Sequence, residues 1–194
     1  MVTVVAIFLY RMSSMNITKK YLGYLVTVAL LVASTTSQAS DAQSGPYLGI
    51  DGSAFSLDGS NGDDLDPRGV RLRLGLPISR VFDVEAHFGF GTEDDIAAFD
   101  EIDIVFSSVF LKAHAPLGAR TTAYAMAGLT ALELTETIGR REFTDEDAGI
   151  SFGFGLEIVL SRRVDLSADY VFYSQDVGIF EDLSAVSLGL KLYF

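Results

Sequence analysis

The stretch Leu183–Phe194, L-S-A-V-S-L-G-L-K-L-Y-F, decides the fold. Val186, Leu188, Leu190, Leu192 and Phe194 share one parity; Ala185, Ser187, Gly189, Lys191 and Tyr193 share the other. A period of two marks a β-strand, because successive side chains leave opposite faces of the ribbon. One face is greasy throughout. The other is small or charged and carries a lysine that hydrocarbon tolerates only with a partner. In water such an edge strand is a template for aggregation. In a membrane it is stable once every backbone group is paired, which for strands means a closed barrel.

The same stretch resembles the C-terminal signal of bacterial outer-membrane β-barrel proteins. Those chains end in an aromatic residue, usually Phe, with apolar residues at alternate positions before it. Leu188, Leu190, Leu192 and Phe194 match that pattern. The resemblance implies that barrel-assembly machinery and periplasmic chaperones handle this chain and that the terminal row is the assembly signal.

The amino-terminal segment reads as targeting sequence rather than fold. Met15–Ala39 holds Lys19 and Lys20, an apolar run from Tyr21 to Ala33, and Ser37-Gln38-Ala39 with small residues at the cleavage positions. This is the layout of a secretory signal peptide, and the run is short for a transmembrane anchor. Residues 1–14 read as an upstream extension from an overcalled start, residues 15–39 as the signal peptide and residues 40–194 as the barrel. Cleavage after Ala42 is the alternative.

Between these ends the chain breaks into seven further strand-like segments. Gly45–Leu57 sets Leu48, Ile50 and Ala54 against Tyr47, Gly49, Asp51, Ser53 and Phe55. Arg68–Leu76 sets Val70, Leu72, Leu74 and Leu76 against Arg71, Arg73 and Gly75. Val81–Gly91 alternates most cleanly, with Phe82, Val84, Ala86, Phe88 and Phe90 against Asp83, Glu85, His87, Gly89 and Gly91. Ile102–Ala115 is ambiguous; taking Lys112 as inward places Val109 and Leu111 outward. Arg120–Thr137 is also weakly patterned, and Tyr124, Met126 and Leu132 are expected to face out. Ala148–Leu160 sets Ile150, Phe152, Phe154, Leu156 and Ile158 against Gly149, Ser151, Gly153, Gly155 and Glu157. Val164–Ser174 sets Leu166, Ala168, Tyr170 and Phe172 against Asp165, Ser167, Asp169 and Tyr173. Short turns near Ile78, Leu117 and Arg162 alternate with polar stretches read as longer loops at 58–66, 92–101, 138–147 and 175–182.

Short turns at one end and longer connections at the other are the layout of an outer-membrane barrel. The pattern resembles the small eight-stranded outer-membrane barrel family that includes OmpA-like and OmpX-like proteins. The expected fold is therefore an all-β, eight-stranded, antiparallel up-and-down transmembrane barrel. A soluble ligand-binding barrel would turn its bulky apolar residues inward. Here that set looks too large for the interior, and the opposite parity is mostly Gly, Ser and charge.

The inward parity carries Asp51, Arg71, Arg73, Asp83, Glu85, Lys112, Glu157, Asp165, Asp169 and Lys191. Unpaired charge in a lumen surrounded by lipid is costly, so these groups are expected to form an ion-pair network. An eight-stranded barrel is just wide enough for its side chains to fill. The network is thus read as a structural filling, with a gated narrow pore as the alternative.

Charge is uneven. Eighteen of the 26 acids lie in the four longer connections and their flanks, where Arg140 and Arg141 are the only bases. The short turns carry Arg80, Arg120, Arg162 and Arg163 and no acid. The longer connections are expected to face outside and the short turns the periplasm. The acidic connections are candidate sites for divalent cations bridging to lipopolysaccharide phosphates, since hard oxygen ligands suit Mg²⁺ and Ca²⁺. A solvated acidic surface accounts for the same residues. Removing residues 1–39 leaves a net charge of −15, which argues against nucleic acid as a partner.

No cysteine is present, so disulfides and thiol chemistry are excluded. Neither His87 nor His114 sits beside a serine in a His-x-Ser pattern, and no cofactor or metal motif is present. The functional expectation is an outer-membrane barrel with a structural or surface-interaction role among membrane lipid and lipopolysaccharide. A narrow solute channel is the alternative, and a lipid-modifying barrel enzyme a third reading.

Overall fold

The computed structural model describes residues 45–59, 66–96, 99–138, 141–177 and 180–194. Side chains are described for 45–57, 66–92, 103–135, 148–173 and 183–194. The segments 1–14 and 15–39 lie outside the described residues.

Eight antiparallel strands close into one barrel in chain order. They are β1 (Tyr47–Gly59), β2 (Arg68–Pro77), β3 (Phe82–Ile96), β4 (Phe99–Pro116), β5 (Thr121–Ile138), β6 (Arg141–Val159), β7 (Val164–Val177) and β8 (Phe180–Tyr193). β1 pairs with β8 from Tyr47↔Tyr193 onward, so no edge is left along that seam and its backbone groups are satisfied without water. The eight-stranded transmembrane architecture expected from the terminal strand is the one found.

The lipid-facing row of β8 is Val186, Leu188, Leu190, Leu192 and Phe194, with Phe194 76% exposed, while Lys191 is fully buried. The facing rows of β1, β2 and β6 follow the same logic: Leu48 and Ile50, Val70 and Leu74, and Ile150 to Ile158 at alternate positions are all exposed. In a soluble protein this apolar surface would be an error; in lipid it is the required solvent contact.

Three sequence expectations are corrected. Tyr124, Met126 and Leu132 of β5 point inward and are buried, and the outward positions are Ala125, Ala127 and Leu129. Alanine is acceptable to lipid, whereas the lumen needs volume, so the bulky parity goes inside. On β4 the inward choice for Lys112 holds, and Ile104, Phe106 and Phe110 are buried with it. The interior is therefore not only Gly, Ser and charge.

The stretches at 92–101, 138–147 and 175–182 are largely strand rather than loop. The β3–β4 ladder runs to Ile96↔Phe99, the β5–β6 ladder to Ile138↔Arg141 and the β7–β8 ladder to Val177↔Phe180. Acidic residues read as loop because they avoid hydrocarbon. Beyond the membrane a hairpin ladder satisfies the backbone whatever the side chains are. Residues 60–65, between β1 and β2, lie outside the described residues.

Inward bulk is fitted against inward glycine. Tyr47 of β1 pairs with Gly75 of β2, and a Cβ there would fall within the tyrosine ring. Phe106 of β4 pairs with Gly89 of β3 in the same way. Alternating large and small residues across a ladder lets a narrow barrel hold aromatic rings.

Candidate functional site

The site is the lumen, and it has two storeys. Moving from the short-turn end along β1, β7 and β8, the inward side chains change from polar or charged to apolar, while β4 and β5 mix the two, with Phe110 and Met126 below Ser108 and Thr130. On β1 they pass from Tyr47 and Asp51 to Phe55 and Leu57; on β8 from Lys191 and Ser187 to Ala185 and Leu183. The apolar storey joins Phe55, Leu57, Ile104, Phe106, Leu132, Leu134, Val171 and Leu183 in one buried cluster. Phe106 packs edge-on against Phe55 with centroids 5.7 Å apart and lies 4.2 Å from Tyr173.

The polar storey contains two ionic clusters. In the first, Arg71 Nε donates to Asp51 Oδ2 at 2.9 Å, Nη1 to the Tyr173 hydroxyl at 2.8 Å, and Nη2 to both oxygens of Asp169 at 2.7 and 2.9 Å. Arg73 Nη2 donates to Asp51 Oδ1 and to the Ser167 hydroxyl, and Tyr124 donates to Asp169 Oδ2 at 2.8 Å. The register makes this possible: Asp51 faces Arg71 on β2 and Gly189 on β8, and Arg71 faces Gly89 on β3. Glycine beside each long side chain leaves it room to lie across the lumen.

In the second cluster, Glu157 Oε1 accepts from Lys112 Nζ at 2.6 Å and from Lys191 Nζ at 2.8 Å. Lys112 also donates to Glu85 Oε2 at 3.2 Å, and the Tyr47 hydroxyl donates to the same oxygen. Aromatic faces complete the shells: Lys112 Nζ sits 3.7 Å from the Tyr124 ring centroid, and Lys191 Nζ 3.7 Å from that of Tyr47. An ammonium over a ring face is attracted by the ring quadrupole, the more so when desolvated.

His87 ties the clusters together. Glu85 is a carboxylate and only accepts, so His87 Nε2–H donates to Glu85 Oε1 at 2.7 Å, and Nδ1 accepts from the Tyr173 hydroxyl at 3.3 Å. His114 lies near the short-turn rim, with Nε2 at 2.7 Å from Asp83 Oδ2. Asp165 is buried and in register with Lys191. A hydroxyl relay, Ser151 to Thr130 to Ser108, runs across β6, β5 and β4.

Thus Asp51, Arg71, Arg73 and Asp169 meet in one cluster, and Glu85, Lys112, Glu157 and Lys191 in the other. Leu188, Leu190, Leu192 and Phe194 lie on the opposite, outer wall. Sequence reasoning missed the tyrosines. Tyr47, Tyr124 and Tyr173 cap the ions with hydroxyl and ring, and their only sequence signal is parity, which on β5 is too weak to mark Tyr124 as inward.

Buried ions are costly unless each is met several times, and here most are. Arg73 is the exception: its Nε and Nη1 have no hydrogen-bond partner among the described residues, although Nη1 lies 3.9 Å from Asp169. Among the described residues no group of three or more acids and histidines is arranged to hold a metal ion. Of the acids at the longer connections, only Asp66 and Asp103 have described side chains, so the candidate cation sites fall outside the described residues.

A closed barrel with an apolar wall and an ion-paired interior is the build of an integral β-barrel membrane protein. The chain belongs to the outer membrane protein beta-barrel domain family, whose model matches residues 25–194, and its place is the bacterial outer membrane. Its fold is similar to the neisserial surface protein A, with a TM-score of 0.69 at 17% identity over 78% of this chain and 98% of that one. It is also similar to the attachment invasion locus protein Ail of Yersinia pestis, with a TM-score of 0.61 at 14% identity over 78% and 100%. The N-terminal barrel domain of Pseudomonas aeruginosa OprF gives 0.55 at 15% identity over 76% and 97%. At these identities the likeness is one of fold. A search of curated protein sequences finds no match.

Proposed function

We propose that this protein is a sealed envelope barrel whose role is structural or surface-interacting, rather than a solute channel or a lipid-modifying enzyme. The observation that carries this reading is the filled lumen. Arg71, Arg73, Glu85, His87, Lys112 and Lys191 are completely buried and bridged to one another or to their neighbours, and an apolar plug of Phe55, Leu57, Ile104, Leu132 and Leu134 lies above them. An ion crossing the barrel would have to break multiply bonded pairs and then pass an unsolvated layer. Planar-bilayer recording tests this: the purified barrel is expected to give no steady conductance steps, and reproducible ohmic steps would replace the reading with the channel.

Charge narrows the surface role. Ail has been solved in complex with the heparin analogue sucrose octasulfate. The longer-connection end of this chain carries eighteen acids and two arginines, so it favours cationic partners, divalent ions among them, and repels polyanions.

A further inference from the structure

We propose that the short-turn rim is a docking collar for the headgroups of anionic glycerophospholipids. The β2–β3, β4–β5 and β6–β7 turns all lie at one end of the barrel, at three of its four corners; the fourth is where β1 meets β8. Each turn presents exposed arginine: Arg80, Arg120, and the pair Arg162 and Arg163. The inward acids at this end, Asp83 and Asp165, are buried in the lumen, whereas the four arginines are exposed.

The second observation is apolar. Beside the arginines stand Ile78, Val81, Phe82, Leu117 and Leu160, all exposed and continuous with the lipid-facing wall. A guanidinium directly above a greasy belt sits at phosphate depth, its stem in acyl chain and its head in the interface. Planar guanidinium groups pair bidentately with phosphate oxygens.

The turns are also held in shape. Ile78 N–H and Ser79 N–H both donate to the Phe82 carbonyl at 3.0 Å, and the Ser79 hydroxyl accepts from Phe82 N–H at 3.0 Å. Leu160 and Ser161 N–H repeat the arrangement with the Val164 carbonyl. The arginines are therefore presented on short, bonded turns, which lowers the ordering cost of engaging a headgroup.

The collar rests on the membrane-barrel assignment but not on which way the barrel faces. The test is lipid retention by native mass spectrometry, using the full chain folded in micelles doped with equal amounts of phosphatidylglycerol and phosphatidylcholine of matched acyl chains. Wild type is expected to retain phosphatidylglycerol preferentially, by about fivefold or more, the size of one engaged arginine. R80Q/R120Q/R162Q/R163Q is expected to lose the preference while keeping heat-modifiable gel mobility, and the fourfold lysine variant to keep part of it. Equal retention by wild type, or a preference that survives in the glutamine variant, overturns the collar. So does an arginine-dependent preference for lipid A over phosphatidylglycerol in a parallel mixture. A barrel facing the other way is reported separately, by protease accessibility in cells.

Discussion

Lys191 of β8 donates to Glu157 Oε1 of β6 at 2.8 Å. Lys112, which shares the same oxygen, has Glu85 as a second partner. Both lysines therefore depend on one carboxylate oxygen of Glu157.

Glu157→Gln is expected to destabilise the barrel more than Lys191→Met. The first takes the shared carboxylate from two buried ammonium groups, at about 3–5 kcal/mol. The second leaves Glu157 bound to Lys112, and a lost partner of that kind costs about 1–3 kcal/mol. Urea unfolding in lipid vesicles reads the difference, and the reverse order would show that Glu157 is not what holds Lys191.

Leu190→Arg and Lys191→Leu probe the two faces of β8. Arginine at 190 faces the bilayer and is expected to cost about 2–4 kcal/mol near the midplane, a large share of a typical 5–15 kcal/mol. Lys191→Leu is expected to be milder for membrane insertion, because it removes no lipid contact. Heat-modifiable mobility of membrane fractions separates them.

Deleting Phe194 is expected to lower the yield of folded barrel in cells more than the stability of protein refolded from urea. The resemblance of the terminal row to an assembly signal motivates this, since the residue itself is 76% exposed. Equal losses in both measurements would make Phe194 a packing residue only.

Gly75→Ala is expected to destabilise by about 1–3 kcal/mol, because the new methyl meets the Tyr47 ring. In the Tyr47→Ala background the same change should cost less, with a coupling of about 0.5–3 kcal/mol. Additive losses would mean that ring and glycine are independent.

Protease added to intact cells is expected to cut only at the acidic end, at the β3–β4 or β5–β6 connection near residues 97–98 and 139–140. Cutting at the arginine turns of intact cells would invert the orientation.

The sequence alone determined the barrel, its strand number and the faces of six strands. Where a strand such as β3 or β8 carries charge and glycine on one parity and large apolar residues on the other, lipid and lumen demand opposite chemistries and the alternation reports both. It did not determine β5, or the aromatic residues that share the inner face of β4. Tyr124 and Phe106 are apolar enough for either side, and what draws them inward is a glycine on the neighbouring strand, Gly155 for one and Gly89 for the other. Which residue stands opposite is a matter of register, and register belongs to the closed sheet. The same holds for the ion pairs. Parity places Arg71, Asp169, Glu157 and Lys191 in one lumen, but only the stagger of eight strands brings particular charges within 3 Å, because those contacts join residues tens of positions apart in the chain.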